Sequence, residues 1–219
     1  MSERASTASA PPVQIERGQK QLRAEIRAKH PRFVEAVRAD AKFALACRSE
    51  RFVFRGRLDA AVQIVRLMCV SDAFLAQVCY RAKARLQALG VPGLPRVFHR
   101  LAIMIAQVSI GDPVVIHPGV YIAHGQNVID GYSEIHSGVT IAPWAGIGLV
   151  WGNYRGPVIE QGVQIGVGAQ LLGPVVVHRG ARVGANAVVV RDVPENTTVL
   201  PAPVRHRRAG RDIESYDEP

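Results

Sequence analysis

Aliphatic residues recur every six positions along the second half of the chain: Ile135, Ile141 and Ile147, then after a gap Ile159, Ile165, Leu171, Val177, Val183 and Val189. A helix repeats its side chains about every 3.6 residues and a strand about every 2, so this beat requires a larger unit that is itself repeated. The fourth position after the aliphatic residue is small or β-branched in Val139, Val163, Ala169, Val175, Ala181 and Ala187. The residue before it is a turn former in Gly138, Gly162, Gly168, Pro174, Gly180, Asn186 and Asp192. Such residues accept a positive φ or fix φ, which a chain turning a corner needs. An earlier set runs Ile110, Ile116, Ile122 and Val128, with Pro113, Gly119, Gly125 and Gly131 at the turn position, and the spacing slips by one residue between Val128 and Ile135. The pattern predicts a solenoid, because short strands of a sandwich would need hairpin loops of varied length.

Upstream, the organisation changes. Residues 1–14, rich in Ser, Thr and Ala with a Pro11-Pro12 pair, read as a disordered leader. From Ile15 to Gln107 the apolar spacing predicts helices over 15–29, 32–48, 57–70, 72–89 and 95–107, broken at Pro31, Gly56, Ser71 and Gly90 to Pro95. Asp72 is the expected N-cap, and Ala61, Ile64, Val65, Met68, Phe74, Leu75 and Val78 are expected in the core. The domains are therefore a helical unit over 15–107, a repeat domain over 108–204 and a tail over 205–219.

With 219 residues, 48% of them hydrophobic, the chain can bury one solenoid and a smaller helical core. The net charge of +9 is spread over helix positions such as Arg23, Arg27, Lys29, Arg38, Lys42, Arg81, Lys83 and Arg85 without interleaved aromatics, so nucleic acid is not the expected partner. No apolar run reaches the roughly 18 residues of a membrane span, and the N-terminus lacks a signal-peptide core. The expectation is a cytoplasmic protein that does not enter a membrane. Cys47, Cys69 and Cys79 are odd in number and lack metal-ligand spacing, so they read as free buried thiols. No H-x-x-H motif or Cys/His cluster points to a bound metal, and His117, His136 and His178 read as outward-facing surface residues.

The repeat resembles the hexapeptide-repeat acyltransferases, and over about residues 35–210 the chain is most similar to serine O-acetyltransferase. The stretches that carry the resemblance are Gln107-Val108-Ser109-Ile110, Ile122-Ala123-His124, Arg155-Gly156-Pro157-Val158-Ile159 and Val163-Gln164-Ile165-Gly166-Val167-Gly168-Ala169. The resemblance implies an α+β fold, an N-terminal α-helical domain followed by a left-handed parallel β-helix. It implies a homotrimer or dimer of trimers, with acetyl-CoA as co-substrate in the groove between subunits and a small-molecule acceptor. Gly148, Ala169, Ala187, Pro203 and Arg205 stand where the family holds CoA, with Pro201 in place of an expected Gly.

Acetyl transfer to a hydroxyl requires a base for the hydroxyl proton and stabilisation of the oxyanion, and a histidine that titrates near neutrality suits the first task. The resemblance assigns that base to His124. It aligns Ser109 with the Asp that orients the imidazole, and Ala123 with an Asp that helps bind the substrate amine. Gly156 replaces a second histidine. Arg155 matches the arginine that reaches the serine carboxylate, and Asp40 matches the helical-domain Asp that contacts the amine. The excursion from Gly148 to Pro157 interrupts the beat where the family covers its acceptor site, and Trp144, Trp151 and Tyr154 add apolar surface there. Two other readings stay open: an acceptor that is a sugar or specialised metabolite, and a non-catalytic assembly protein. The end Tyr216-Asp217-Glu218-Pro219 lacks the C-terminal isoleucine with which the family engages cysteine synthase, so no such complex is expected.

Overall fold

The computed structural model describes residue 25 and residues 28–202, together with the backbone of residues 207–208 and 211–212. Four helices precede the solenoid: α1 (Phe33–Cys47), α2 (Arg57–Val70), α3 (Asp72–Ala88) and α4 (Leu94–Ala106). Each matches a predicted segment to within two residues. The leader and the helix expected over 15–29 fall mostly outside the described residues, as does most of the tail.

From Ser109 the chain winds through short strands into three parallel sheets that form the sides of a left-handed β-helix. Strands that pair are one coil apart in sequence, so the aliphatic beat becomes three internal columns. One stacks Ile110, Ile129, Ile147, Leu171 and Val189; a second stacks Ile116, Ile135, Ile159 and Val177; the third stacks Ile122, Ile141, Ile165, Val183 and Val199. All are buried except Val199, which is partly covered near the last coil. Burying one such side chain stabilises the fold by about 1.5–3 kcal/mol, and the columns form one continuous core.

The structure moves the slip in the beat. Val128 is 57% exposed and Ile129 is fully buried, so the extra residue lies between Ile122 and Ile129 rather than after Val128. A period of two makes the correction visible, since neighbours on a strand face opposite sides. The corner from Ala123 to Asn127 holds that residue, opposite the shorter corner from Ala142 to Ala145 in the next coil. Ala123 N–H donates to Ile141 O and Trp144 N–H donates to Gln126 O, which fixes the alignment on either side of it.

A solenoid leaves the backbone of its first coil unpaired, and an open strand edge invites association. Helix α3 closes this one. Gln77 donates to Val120 O at 3.1 Å, Tyr80 Oη to Val114 O at 2.8 Å, and Lys83 Nζ to Ile110 O at 2.6 Å. Arg81 donates to the carbonyls of Ile116 and His117.

Smaller expectations also shift. Ser71 is the N-cap of α3, its hydroxyl accepting from Phe74 N–H at 3.4 Å, and Asp72 is the first helical residue. On α2 the buried face is Ala60 and Leu67 with Ile64 and Met68 beside them, whereas Ala61 and Val65 face outward. Cys47 and Cys69 are exposed and only Cys79 is buried, because α1 and α2 each cover the core along a narrow stripe.

Candidate active site

His124 stands on the lengthened corner, with its side chain exposed. Three successive residues there take the left-handed conformation, His124 at φ 61°, Gly125 at 102° and Gln126 at 57°. Non-glycine residues seldom adopt it, and a run of three is a local departure from the otherwise regular corner. Gly125 is required by space as well as by φ: a Cβ there would come within 2.3 Å of Ala106 O at the end of α4. Gln126 N–H donates to that same carbonyl at 2.8 Å. The C-terminus of α4 therefore braces the corner that presents His124.

Ser109 lies on the adjoining sheet, in register with Val128, its backbone N–H donating to Asn127 O at 2.9 Å. Its hydroxyl makes no hydrogen bond to the His124 ring among the described residues. Ala123 precedes His124 and pairs into the third sheet, offering only a methyl group. Trp144 occupies the equivalent corner one coil on, at φ 65° and 60% exposed. A bulky residue held at positive φ costs about 1–3 kcal/mol, and here it sets an indole on the His124 edge.

Asp40 takes a different place from the one expected. Its carboxylate is 1% exposed, forms a two-point pair with Arg81 at 2.9 and 3.1 Å, and accepts from the Gly119 and Val120 N–H groups at 2.8 and 3.3 Å. Its oxygens are occupied, so it ties α1 and α3 to the first coil and leaves no carboxylate edge for an acceptor amine.

The excursion is a tight hairpin. Val150 and Asn153 bridge, Gly152 takes φ 85°, and Asn153 Oδ1 accepts from Arg155 N–H at 3.0 Å. Trp151 at the tip is 98% exposed and Tyr154 is half exposed. Arg155 leads into the second sheet, so it and His124 belong to different edges of the same solenoid.

Of the expected CoA positions, Gly148 faces open space, with nothing within 4 Å of an added Cβ. Ala169 and Ala187 point inward and are buried, and their N–H groups are engaged by Gly166 O and Gly184 O at 3.2 and 3.1 Å. The outward residues on that edge are Val167, Ala185 and Asn186. Pro203 and Arg205 lie outside the described residues.

One cluster escaped sequence reading altogether. His117, Glu134 and His136 meet on the outside of the second sheet, with His117 Nε2 at 2.9 Å and His136 Nε2 at 3.8 Å from Glu134 Oε1. A coil closes about every 18 residues, so histidines 19 apart in sequence become neighbours; a search tuned to helical ligand spacings cannot see them.

Residues 156–191 match the family model for the bacterial transferase hexapeptide (six repeats). The matched stretch lies within the solenoid. Among curated proteins, the chain is 32% identical to the serine acetyltransferase of Synechococcus elongatus over 71% of its length, and 35% identical to that of Bacillus subtilis over 57%. It spans 64% of the length of each of these relatives. Among solved structures, the serine acetyltransferase of Vibrio cholerae superposes with a TM-score of 0.64 at 26% identity, covering 89% of this chain and 71% of that one.

Proposed function

We propose that the protein is an acetyl-CoA-dependent O-acetyltransferase acting on serine or a related small hydroxyl compound. The observation that carries this reading is the presentation of His124, an exposed imidazole on a corner lengthened by one residue and braced by α4. In the reaction, the His124 ring takes the acceptor hydroxyl proton as the oxygen attacks the thioester carbonyl. The C–S bond then breaks, and the proton passes to the departing CoA thiolate. Similarity to serine acetyltransferases supports the chemistry. A solved member from Brucella abortus holds coenzyme A, and one from Neisseria gonorrhoeae holds serine.

The two positions that would supply carboxylates to a serine site carry Ser109 and Ala123. A hydroxyl can hydrogen-bond the imidazole but cannot offset its developing charge. With Asp40 committed to Arg81, free serine has no anionic partner for its ammonium group among these residues. The exposed Trp144, Trp151 and Tyr154 favour an acceptor with more apolar surface, held through a carboxylate at Arg155. Because Arg155 and His124 lie on different edges, this pairing requires a neighbouring copy. The outward valines Val128, Val188 and Val190 offer apolar area for such a contact. We therefore assign the enzyme as a homotrimer or dimer of trimers.

A panel of hydroxylated acceptors assayed by release of the CoA thiol tests the reading. The natural protein is expected to turn over serine poorly and a larger hydroxylated carboxylate better. The pair Ser109→Asp with Ala123→Asp is expected to raise activity on serine. Efficient serine acetylation by the natural protein, at kcat/KM of about 10⁴ M⁻¹s⁻¹ or above, would overturn the acceptor assignment. Absence of CoA release with every acceptor would overturn the reaction.

A further inference from the structure

We propose that His117, Glu134 and His136 form a binding site for a first-row divalent metal ion, with Zn²⁺ the best match to the donors. The three residues each offer one ligand atom, and these atoms all lie within 4.8 Å of one another. Two imidazoles and one carboxylate, with a further position left to water, make a common three-ligand zinc set. The coil geometry holds the three in place, since His117 and His136 follow the paired residues Ile116 and Ile135, and Glu134 pairs with Val115.

His117 and His136 stand side by side on neighbouring coils. The rings are stacked, with centroids 4.6 Å apart and planes 14° from parallel, so their lone pairs run side by side. Capture of an ion requires one ring to tilt toward the other and replaces the His117–Glu134 hydrogen bond with metal–ligand bonds. Both histidines are partly exposed and have room for that motion. Lys29 Nζ, 2.5 Å from Glu134 Oε2, is on a half-exposed side chain that swings into solvent as the cation enters.

An access route lies alongside. His136 lines a cavity of 550 Å³ that continues to Ser137, Glu160, Gln161 and Arg179. Glu160, one coil further on, accepts from Arg179 N–H at 2.9 Å and sits 3.3 Å from His178 Nδ1. This carboxylate adds negative potential at the mouth and draws cations toward the histidines. The site uses none of the residues given a part in acetyl transfer, so its success or failure leaves that reading untouched.

The test is calorimetric titration of Zn²⁺ into the intact, chelator-stripped protein at about pH 7.5. One ion per chain at micromolar affinity or tighter is expected, falling as pH drops and the imidazoles protonate. The double variant His117→Asn with His136→Asn should bind at least about 100-fold more weakly, and Glu134→Gln should weaken binding while preserving side-chain shape. Circular dichroism of each variant confirms that the fold is retained, which the outward position of all three residues favours. Absence of a stoichiometric event in the natural protein would overturn the proposal. So would undiminished binding in a folded double variant or in Glu134→Gln.

Discussion

Asp40 and Arg81 form a fully enclosed ion pair, with Nε–Oδ2 at 2.9 Å and Nη2–Oδ1 at 3.1 Å, at 1% and 3% exposure. Neither residue stops at the other. The remaining donors of Arg81 reach the carbonyls of Ile116 and His117, and Asp40 accepts from Gly119 and Val120. Arg81 Nη1 and Nη2 and Asp40 Oδ1 thereby join the helical domain to the first coil, while Nε and Oδ2 lock the two helices to each other.

Removing one partner of such a pair leaves a buried charge without compensation. Asp40→Ala is expected to destabilise the protein by about 3–5 kcal/mol, read by chemical unfolding, and to do so without a specific loss of acceptor affinity in whatever remains folded. A folded variant with intact stability and raised acceptor KM would return Asp40 to the substrate site.

Gly125→Ala tests the brace behind the corner that presents His124. The φ of 102° disfavours any side chain, and the new methyl would press against Ala106 O. A loss of about 1–3 kcal/mol in stability is expected, together with a fall in turnover as the corner shifts. Full activity and stability would mean that the corner can relax without cost.

The pH dependence of stability should carry the mark of His30. Burial, followed by the charges of Arg81, Lys83 and His117, lowers its pKa from 6.5 to about 4. A histidine whose folded pKa is depressed takes up its proton more readily when unfolded, so its contribution is present above about pH 6.5 and is lost as pH falls toward 4. Unfolding titrations should show stability dropping across that window, and His30→Gln should flatten the drop. An unchanged slope in the variant would place the responsible group elsewhere.

The fold was legible because every coil repeats the same requirement, an aliphatic side chain inside each strand, and Ile135 through Val189 meet it without exception. The one misreading of the aliphatic beat, Val128 for Ile129, arose because two β-branched residues stand side by side at an irregular corner and periodicity alone cannot choose between them. His124 was singled out through its motif, and the structure places it on the lengthened corner. What Asp40 does was hidden, since its partners lie 41 and about 80 residues away, and a lone helix carboxylate looks the same whether it meets solvent, substrate or arginine. The His117, Glu134 and His136 cluster was hidden for a related reason: its spacing has meaning only once the coil length and register are known.

The most direct test of the account is the turnover of His124→Asn against the natural protein, with acetyl-CoA and the best acceptor from the panel, alongside the affinity of each for CoA. General-base catalysis by a positioned histidine is worth about 10²–10⁴-fold, so turnover should fall by that factor while CoA affinity stays nearly unchanged. Turnover that survives the substitution would contradict the assignment of His124 as the base.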